Sequence, residues 1–161
     1  MLQYKFKIIL CLILSMCVSC QKTHKNDTLE LIDLARIHFS KEKIVFNTEI
    51  EYCIIIPEGG CSGCIASGIS FIKEHVEAFG IKQKKNKVVF TNIQSQKMLK
   101  RSLESVTFDE LNCIIDTTDR YLIRCKEMIY PIVLKLEKGK IINAKVQSPK
   151  ENGLYEIENR L

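Results

Sequence analysis

Cys61 and Cys64 stand three positions apart, with Ser62 and Gly63 between them. Two thiols at that spacing serve either as a dithiol/disulfide couple or as half of a metal site, and context separates the two. Here an apolar run, Cys53-Ile54-Ile55-Ile56, leads in through Pro57-Glu58-Gly59-Gly60, and an amphipathic stretch from Ile65 to Phe79 leads out. The pair therefore falls at the junction of a strand and a helix. A helix N-terminus presents unpaired backbone N–H groups and a partial positive charge, which favour a thiolate on the first cysteine. A zinc site wants four ligands and this motif supplies two. There is no second C-x-x-C, and His75 lies three helical turns beyond Cys64, so neither a metal nor another cofactor is expected. Glu58 reads as a solvated loop carboxylate, with a proton shuttle as the alternative.

The elements that must position this pair follow from periodicity. Residues Leu29 to Phe39 suit an amphipathic helix, capped by Asn26, Asp27 or Thr28. Ile44–Phe46 is a short strand candidate, and Ile50–Ile56 a central strand buried on both faces and ended by Pro57. A single helix is expected from Ser62 to Phe79, with Gly68 marking a bend or a close contact and Gly80 the stop. Then come a strand over Lys87–Asn92, a helix over Gln94–Leu103, a strand over Leu111–Ile115 and a short helix over Arg120–Met128. Two strands, Ile132–Leu136 and Lys140–Val146, flank the tight turn Glu137-Lys138-Gly139. Glu151–Leu161 is a candidate terminal helix. Alternating strands and helices up to Leu111 imply a parallel sheet, to which the hairpin adds antiparallel strands.

Composition restricts the partners. The net charge is +5, and the one basic cluster, Lys82 to Lys87, falls between a helix and a strand. It reads as a solvated loop. With no aromatic interleaving and no binding motif, a nucleic-acid partner is not expected. Neither a hydrolase set of Ser, His and Asp nor a glycine-rich phosphate loop is present.

Lys5 and Lys7 form a basic n-region, and Ile8–Met16 an apolar stretch too short to anchor in a bilayer. Cys17-Val18-Ser19-Cys20 follows and resembles the lipobox of bacterial lipoproteins, although Cys17 stands where leucine is usual. That resemblance implies a signal peptide over residues 1–19, acyl chains on Cys20, a tether over 20–28 and one domain over 29–161. It places the protein in the bacterial cell envelope, held on the membrane through the lipid on Cys20. Gln21 after Cys20 does not look like an inner-membrane retention signal, which points to the outer membrane facing the periplasm. That compartment is oxidising. Five thiols remain outside the leader: Cys53, Cys61, Cys64, Cys113 and Cys125. Cys53 and Cys113 read as inert core residues, and a Cys113–Cys125 bridge stays open.

From about Ile44 to Val146 the chain resembles the thioredoxin-like superfamily, most closely its membrane-tethered, extracytoplasmic thiol-disulfide oxidoreductase branch. Gly60-Cys61-Ser62-Gly63-Cys64 stands where that family has its active-site motif. Tyr130-Pro131-Ile132-Val133-Leu134 and the hairpin after it are similar to the family's cis-proline strand. Cys113 to Asp119 is similar to its strand and Asp-rich turn. The resemblance implies an α/β fold, a thioredoxin-like mixed sheet flanked by helices with a C-terminal β-hairpin. It implies a cis Tyr130–Pro131 bond beside the dithiol, with Tyr130 and Gly60 shaping a groove for the partner's chain. It also implies that Cys61 attacks, that Cys64 resolves, and that the partners are envelope protein disulfides or dithiols. The chain departs from the family in three ways. Gly60 replaces the usual tryptophan, Ser62-Gly63 replaces Gly-Pro, and Ile55 stands near the position of thioredoxin's buried acid. These departures favour the competing expectation, a non-catalytic thioredoxin-like lipoprotein that binds an envelope partner.

Overall fold

The computed structural model describes residues 22–104 and 106–161, with side chains from residue 30 onward. The leader expected over 1–19 and the lipidation candidate Cys20 lie outside these residues.

Five strands form one mixed sheet in the order β3-β2-β1-β4-β5. They are β1 (Tyr52–Pro57), β2 (Asn86–Thr91), β3 (Cys113–Ile115), β4 (Ile132–Glu137) and β5 (Lys140–Val146). β1, β2 and β3 run parallel, whereas β4 is antiparallel to β1 and to β5. The helices are α1 (Lys22–Lys41), α2 (Ser62–Glu74), α3 (Val76–Phe79), α4 (Gln96–Leu103) and α5 (Tyr155–Glu158). Their arrangement around the sheet is the expected α/β one, a mixed sheet flanked by helices with the β4–β5 hairpin toward its C-terminal end.

β1 is the strand on which the other elements are built. All six of its residues are buried, and a strand sends alternate side chains to opposite faces. Cys53 and Ile55 therefore join one core, with Leu31, Ile32, Ala35 and Phe39 of α1. Tyr52, Ile54 and Ile56 join the other, with Ile69 and Ile72 of α2 and Leu99 and Leu103 of α4. The crossovers β1→β2 and β2→β3 step across the sheet in one direction. Right-handed crossovers then put α2, α3 and α4 on one face, leaving the other to α1.

Local chemistry accounts for most boundaries, and tertiary contacts move several. α1 starts at Lys22, so the three expected capping residues fall inside it, as does part of the segment read as a tether. Ile37 is two-thirds exposed, and the buried stripe is Leu31, Ile32, Ala35 and Phe39. The long helix breaks at His75, whose ψ of 35° leaves the helical region. Its ring stacks on Phe71 with centroids 4.6 Å apart. α4 is capped by Ser95, whose hydroxyl accepts from the Met98 N–H. Lys138 and Gly139 both take positive φ, 50° and 77°, the geometry a two-residue hairpin turn requires.

Two expected elements are absent and a third is shortened. Ile44–Phe46 is a loop in which Phe46 is buried and Val45 is 91% exposed, so it pairs with no strand. Arg120–Met128 is a chain of turns rather than a helix. Tyr121, Ile123 and Cys125 meet the α1-side core at a spacing of two, which a 3.6-residue helix cannot deliver. The terminal helix is a single turn, anchored by Leu154 and Ile157.

Asp116, 5% exposed, ties the ends of the parallel strands together. One oxygen accepts from the Thr91 hydroxyl (2.9 Å) and the Tyr121 N–H (2.7 Å). The other accepts from the backbone N–H and hydroxyl of Thr118, at 3.2 and 3.1 Å. Burial works to raise its pKa, but the Tyr121, Thr91 and Thr118 donors prevail and hold it below the usual carboxylate value. Replacing Asp116 by Ala strands these donors, and urea unfolding at pH 7 should show a loss of about 2–4 kcal/mol. Because the folded-state pKa is depressed, the contribution is complete above the unfolded-state value near 3.8. It is lost as pH falls through the folded value. The wild-type advantage over Asp116→Ala should therefore shrink below that pH. A constant difference across the range would refute the assignment.

Candidate dithiol site

The site sits where β1 ends and α2 begins, at the carboxyl edge of the parallel strands. Cys61 is the N-cap of α2, with extended φ and ψ of −68° and 99°. Its carbonyl accepts the first helical hydrogen bond, from the Ile65 N–H at 2.9 Å, and its side chain makes no capping bond. The sulfur is thus left for chemistry. Cys64 follows one turn later and is 8% exposed, while Cys61 is half-buried. The two Sγ atoms are 2.8 Å apart and both cysteines are free thiols.

Proximity splits the two acidities. Cys61 lies below the ordinary thiol value, first because the Cys64 thiol sits against its sulfur, then because the backbone N–H dipoles of Cys64 and Gly63 at the helix start favour a negative charge there. Cys64 is pushed up to about 11 by that same hydrogen bond, by burial and by the negative charge on Cys61. The first thiol is the more readily ionised of the two and the second the weaker acid.

The remaining thiols lie elsewhere. Cys53 is fully buried in β1, and burial raises it to about 12. Burial also raises Cys113, whose Sγ–H points at the Phe108 carbonyl (3.6 Å), and Cys125, to about 11. Cys113 packs with the core under α2 and Cys125 with the core under α1, on opposite faces of the sheet. The Cys113–Cys125 bridge left open by the sequence is not formed, and the sheet between the two faces explains why.

The chain before Pro131 approaches the motif, but in a different way from the one expected. No peptide bond among the described residues is cis, so Tyr130–Pro131 is trans. The trans form is the lower-energy one for an X–Pro bond by about 0.5–1 kcal/mol, and the local contacts are all made with it. Tyr130 N–H closes a turn onto the Glu127 carbonyl (2.9 Å), and the Pro131 carbonyl accepts from Gln147 N–H (2.8 Å). Pro131 lies against α2, the helix that carries the sulfur pair. Its ring packs on Gly68, a turn past Cys64: a Cβ there would lie 3.4 Å from Pro131 Cγ and 3.3 Å from Ile56 Cδ1. Gly68 thus marks a close contact. Tyr130 is half-buried and packs toward the α1-side core.

Ile129 takes the position beside the motif, and sequence reasoning missed it. Its carbonyl accepts from the Cys61 N–H at 2.9 Å. A Cβ on Gly60 would overlap that carbonyl oxygen and lie 2.9 Å from the carbonyl carbon. The absence of any side chain at residue 60 is the steric condition for this contact. Gly60 itself was the one available signal.

Glu58 is a structural carboxylate. It accepts from the Gln94 N–H and, at 2.9 Å, from the Ser95 N–H, joining the loop before Cys61 to the start of α4. Next to it the Gly59 carbonyl accepts from Asn92 Nδ2 (3.5 Å), and Asn92 N–H donates to Asp119 (2.9 Å). Three strand ends are stitched side by side beneath the dithiol. A separate cavity of about 580 Å³, lined by Tyr52, Glu74 and His75, opens at the start of β1, away from the thiols.

No protein-family model matches the chain, and no curated protein matches it. Among solved structures, the chain is similar to the solution structure of a thiol:disulfide interchange protein from Bacteroides sp. The two share 18% identity at a TM-score of 0.43, covering 71% of this chain and 74% of that one. At that distance the functional reading rests on the site's own geometry.

Two outcomes check this geometry. Iodoacetamide at pH 7 should modify Cys61 well before Cys64, and its rate profile should have a midpoint below the ordinary thiol value of 9.0. Cys64→Ala should move that midpoint up toward 9.0, and an unmoved midpoint would exclude the inter-thiol hydrogen bond as its cause. Gly60→Ala should cost about 1–3 kcal/mol in urea unfolding, the usual range for overpacking.

Proposed function

We propose that the protein performs thiol–disulfide exchange in the bacterial cell envelope, lipid-anchored through Cys20 and facing the periplasm from the outer membrane. The observation that carries the exchange is the 2.8 Å approach of Cys61 and Cys64 at the start of α2. One thiol there is more acidic than usual and the other less. The location rests on the leader pattern and Cys20 alone.

The chemistry runs in two displacements. Cys61 thiolate attacks one sulfur of a partner protein's disulfide. A Cys61–partner S–S bond forms, the partner's own S–S bond breaks, and its second sulfur leaves as a thiolate that takes up a proton. Cys64 then loses its proton and attacks Cys61 Sγ. The Cys61–Cys64 bond forms, the mixed disulfide breaks, and the partner leaves as a dithiol. Two electrons pass from this protein to its partner, and the reverse sequence oxidises a partner dithiol. No cofactor takes part in either direction.

A second reading, a binding lipoprotein without exchange activity, has one specific observation in its favour. The position where the resemblance places a proton-accepting acid is Ile55, buried in the α1-side core, so no carboxylate there receives the Cys64 proton. Insulin reduction by dithiothreitol should be accelerated by the wild type and not by Cys61→Ala. Cys64→Ser should accumulate a mixed disulfide with partner proteins that dissolves on reduction. Failure of both, with a Cys61/Cys64 double serine variant keeping its biological role, would establish the binding reading instead. Palmitate labelling and membrane fractionation that are unchanged in Cys20→Ala would overturn the anchor.

A further inference from the structure

A groove of about 640 Å³ runs between α2 and α4, beginning at Gly60 and Ser62 on either side of Cys61. Ile65, Ile69 and Leu99 line it, and Met98 forms its lip with 55% of its surface exposed. Both ends of α4 are fixed to the rest of the molecule. At its start the Glu58 carboxylate holds the N–H groups of Gln94 and Ser95. Past its end Glu104 pairs with Lys73 of α2 at 2.6 Å, and Lys73 keeps the Glu104 carboxyl below its ordinary value. The walls are thus held apart at a set distance, and the groove is pre-formed rather than waiting for a ligand to open it.

Charge narrows the occupant. The ionic groups lining the groove are Glu58, Lys73 and Glu104, and each already has a partner. What is offered along the groove is apolar surface edged by serines, which suits a neutral segment. On the opposite side, the Cys61 N–H and the bare face of Gly60 are already taken by the Ile129 carbonyl.

We propose that this groove seats the uncharged, apolar stretch of polypeptide next to the reactive cysteine of a partner protein, making it the specificity surface of the exchange. The inference rests on the exchange reading above and adds to it the class of partner: a chain with aliphatic or aromatic side chains beside its disulfide. The groove's continuity with the residues flanking Cys61 is what ties its occupant to the reacting sulfur.

The test uses the full chain and two synthetic peptides, each with one cysteine disulfide-linked to thionitrobenzoate. One has leucines beside the cysteine and the other serines. Wild type should react about tenfold faster with the leucine peptide, equivalent to about 1.4 kcal/mol. Ser102→Trp, which fills the groove from the α4 side, and Met98→Glu, which puts a charge on its lip, should each reduce that ratio to about twofold or less. Because the readout is a ratio of two peptides on one variant, a general change in Cys61 reactivity cancels from it. A ratio that survives in both variants, or no preference in wild type, would overturn the proposal. Titration of the leucine peptide with serine in place of its cysteine, followed at the Met98 methyl resonance, separates the two readings. A saturable shift without exchange on any disulfide sinks the exchange reading and leaves the groove a docking site. Exchange with an unmoved methyl resonance sinks the groove.

Discussion

The burial of β1 on both faces and along both edges is the constraint on which the rest depends. A strand paired with parallel β2 along its length and with antiparallel β4 from Tyr52 to Ile55 has most of its ladder satisfied within the sheet. Its alternating side chains hold two separate cores together. A strand so fixed has a fixed carboxyl end, and the loop from Pro57 to Cys61 inherits that position. The stitches beneath the loop, from Glu58, Asn92, Asp116 and Asp119, tie it to the ends of β2 and β3. The dithiol is mounted at the end of a buried, doubly paired strand, and a regular element of the scaffold is where a site of defined geometry is best placed.

On that mount, the asymmetry between the two thiols arises from their mutual contact at the start of a helix rather than from an ionised side chain. The Cys64 thiol, 2.8 Å away, is the main influence on Cys61, and the N–H dipoles of the first turn add to it. Since the sulfurs share one hydrogen bond, whatever stabilises the thiolate of one raises the other. The burial of Cys64 at the first turn of α2 reinforces the difference. This difference in acidity needs no buried carboxylate, so the apolar Ile55 does not remove it, although Ile55 itself offers the Cys64 proton no acceptor.

The close approach of Ile129 to Gly60 changes how the surroundings of the site are arranged. A trans Tyr130–Pro131 bond sets the Ile129 carbonyl against the Cys61 amide and the proline ring against Gly68. Two glycines, at residues 60 and 68, are therefore contact surfaces of the same segment. That segment occupies one flank of the motif, and the groove between α2 and α4 opens on the other.

The strands, the helix bearing the thiols and the hairpin turn were legible in the sequence because each rests on local chemistry. The run Cys53–Ile56 requires a buried strand, Ile65, Ile69 and Ile72 repeat at helical spacing, and Lys138-Gly139 can take positive φ. The Cys-x-x-Cys spacing alone brought two sulfurs to one turn of a helix. Segments with weak periodicity were misread, as at Ile44–Phe46 and Arg120–Met128, because their conformation is set by which single residues reach the core. The sequence by itself determined a strand–dithiol–helix unit, since hydrogen-bonding period and apolar spacing act within a few residues. Only the tertiary structure decided that Ile129 rather than Tyr130 faces Cys61, that Glu58 anchors α4, and that Cys113 and Cys125 lie across the sheet from each other. Those are contacts between residues distant in the chain, fixed by how two cores pack around one strand.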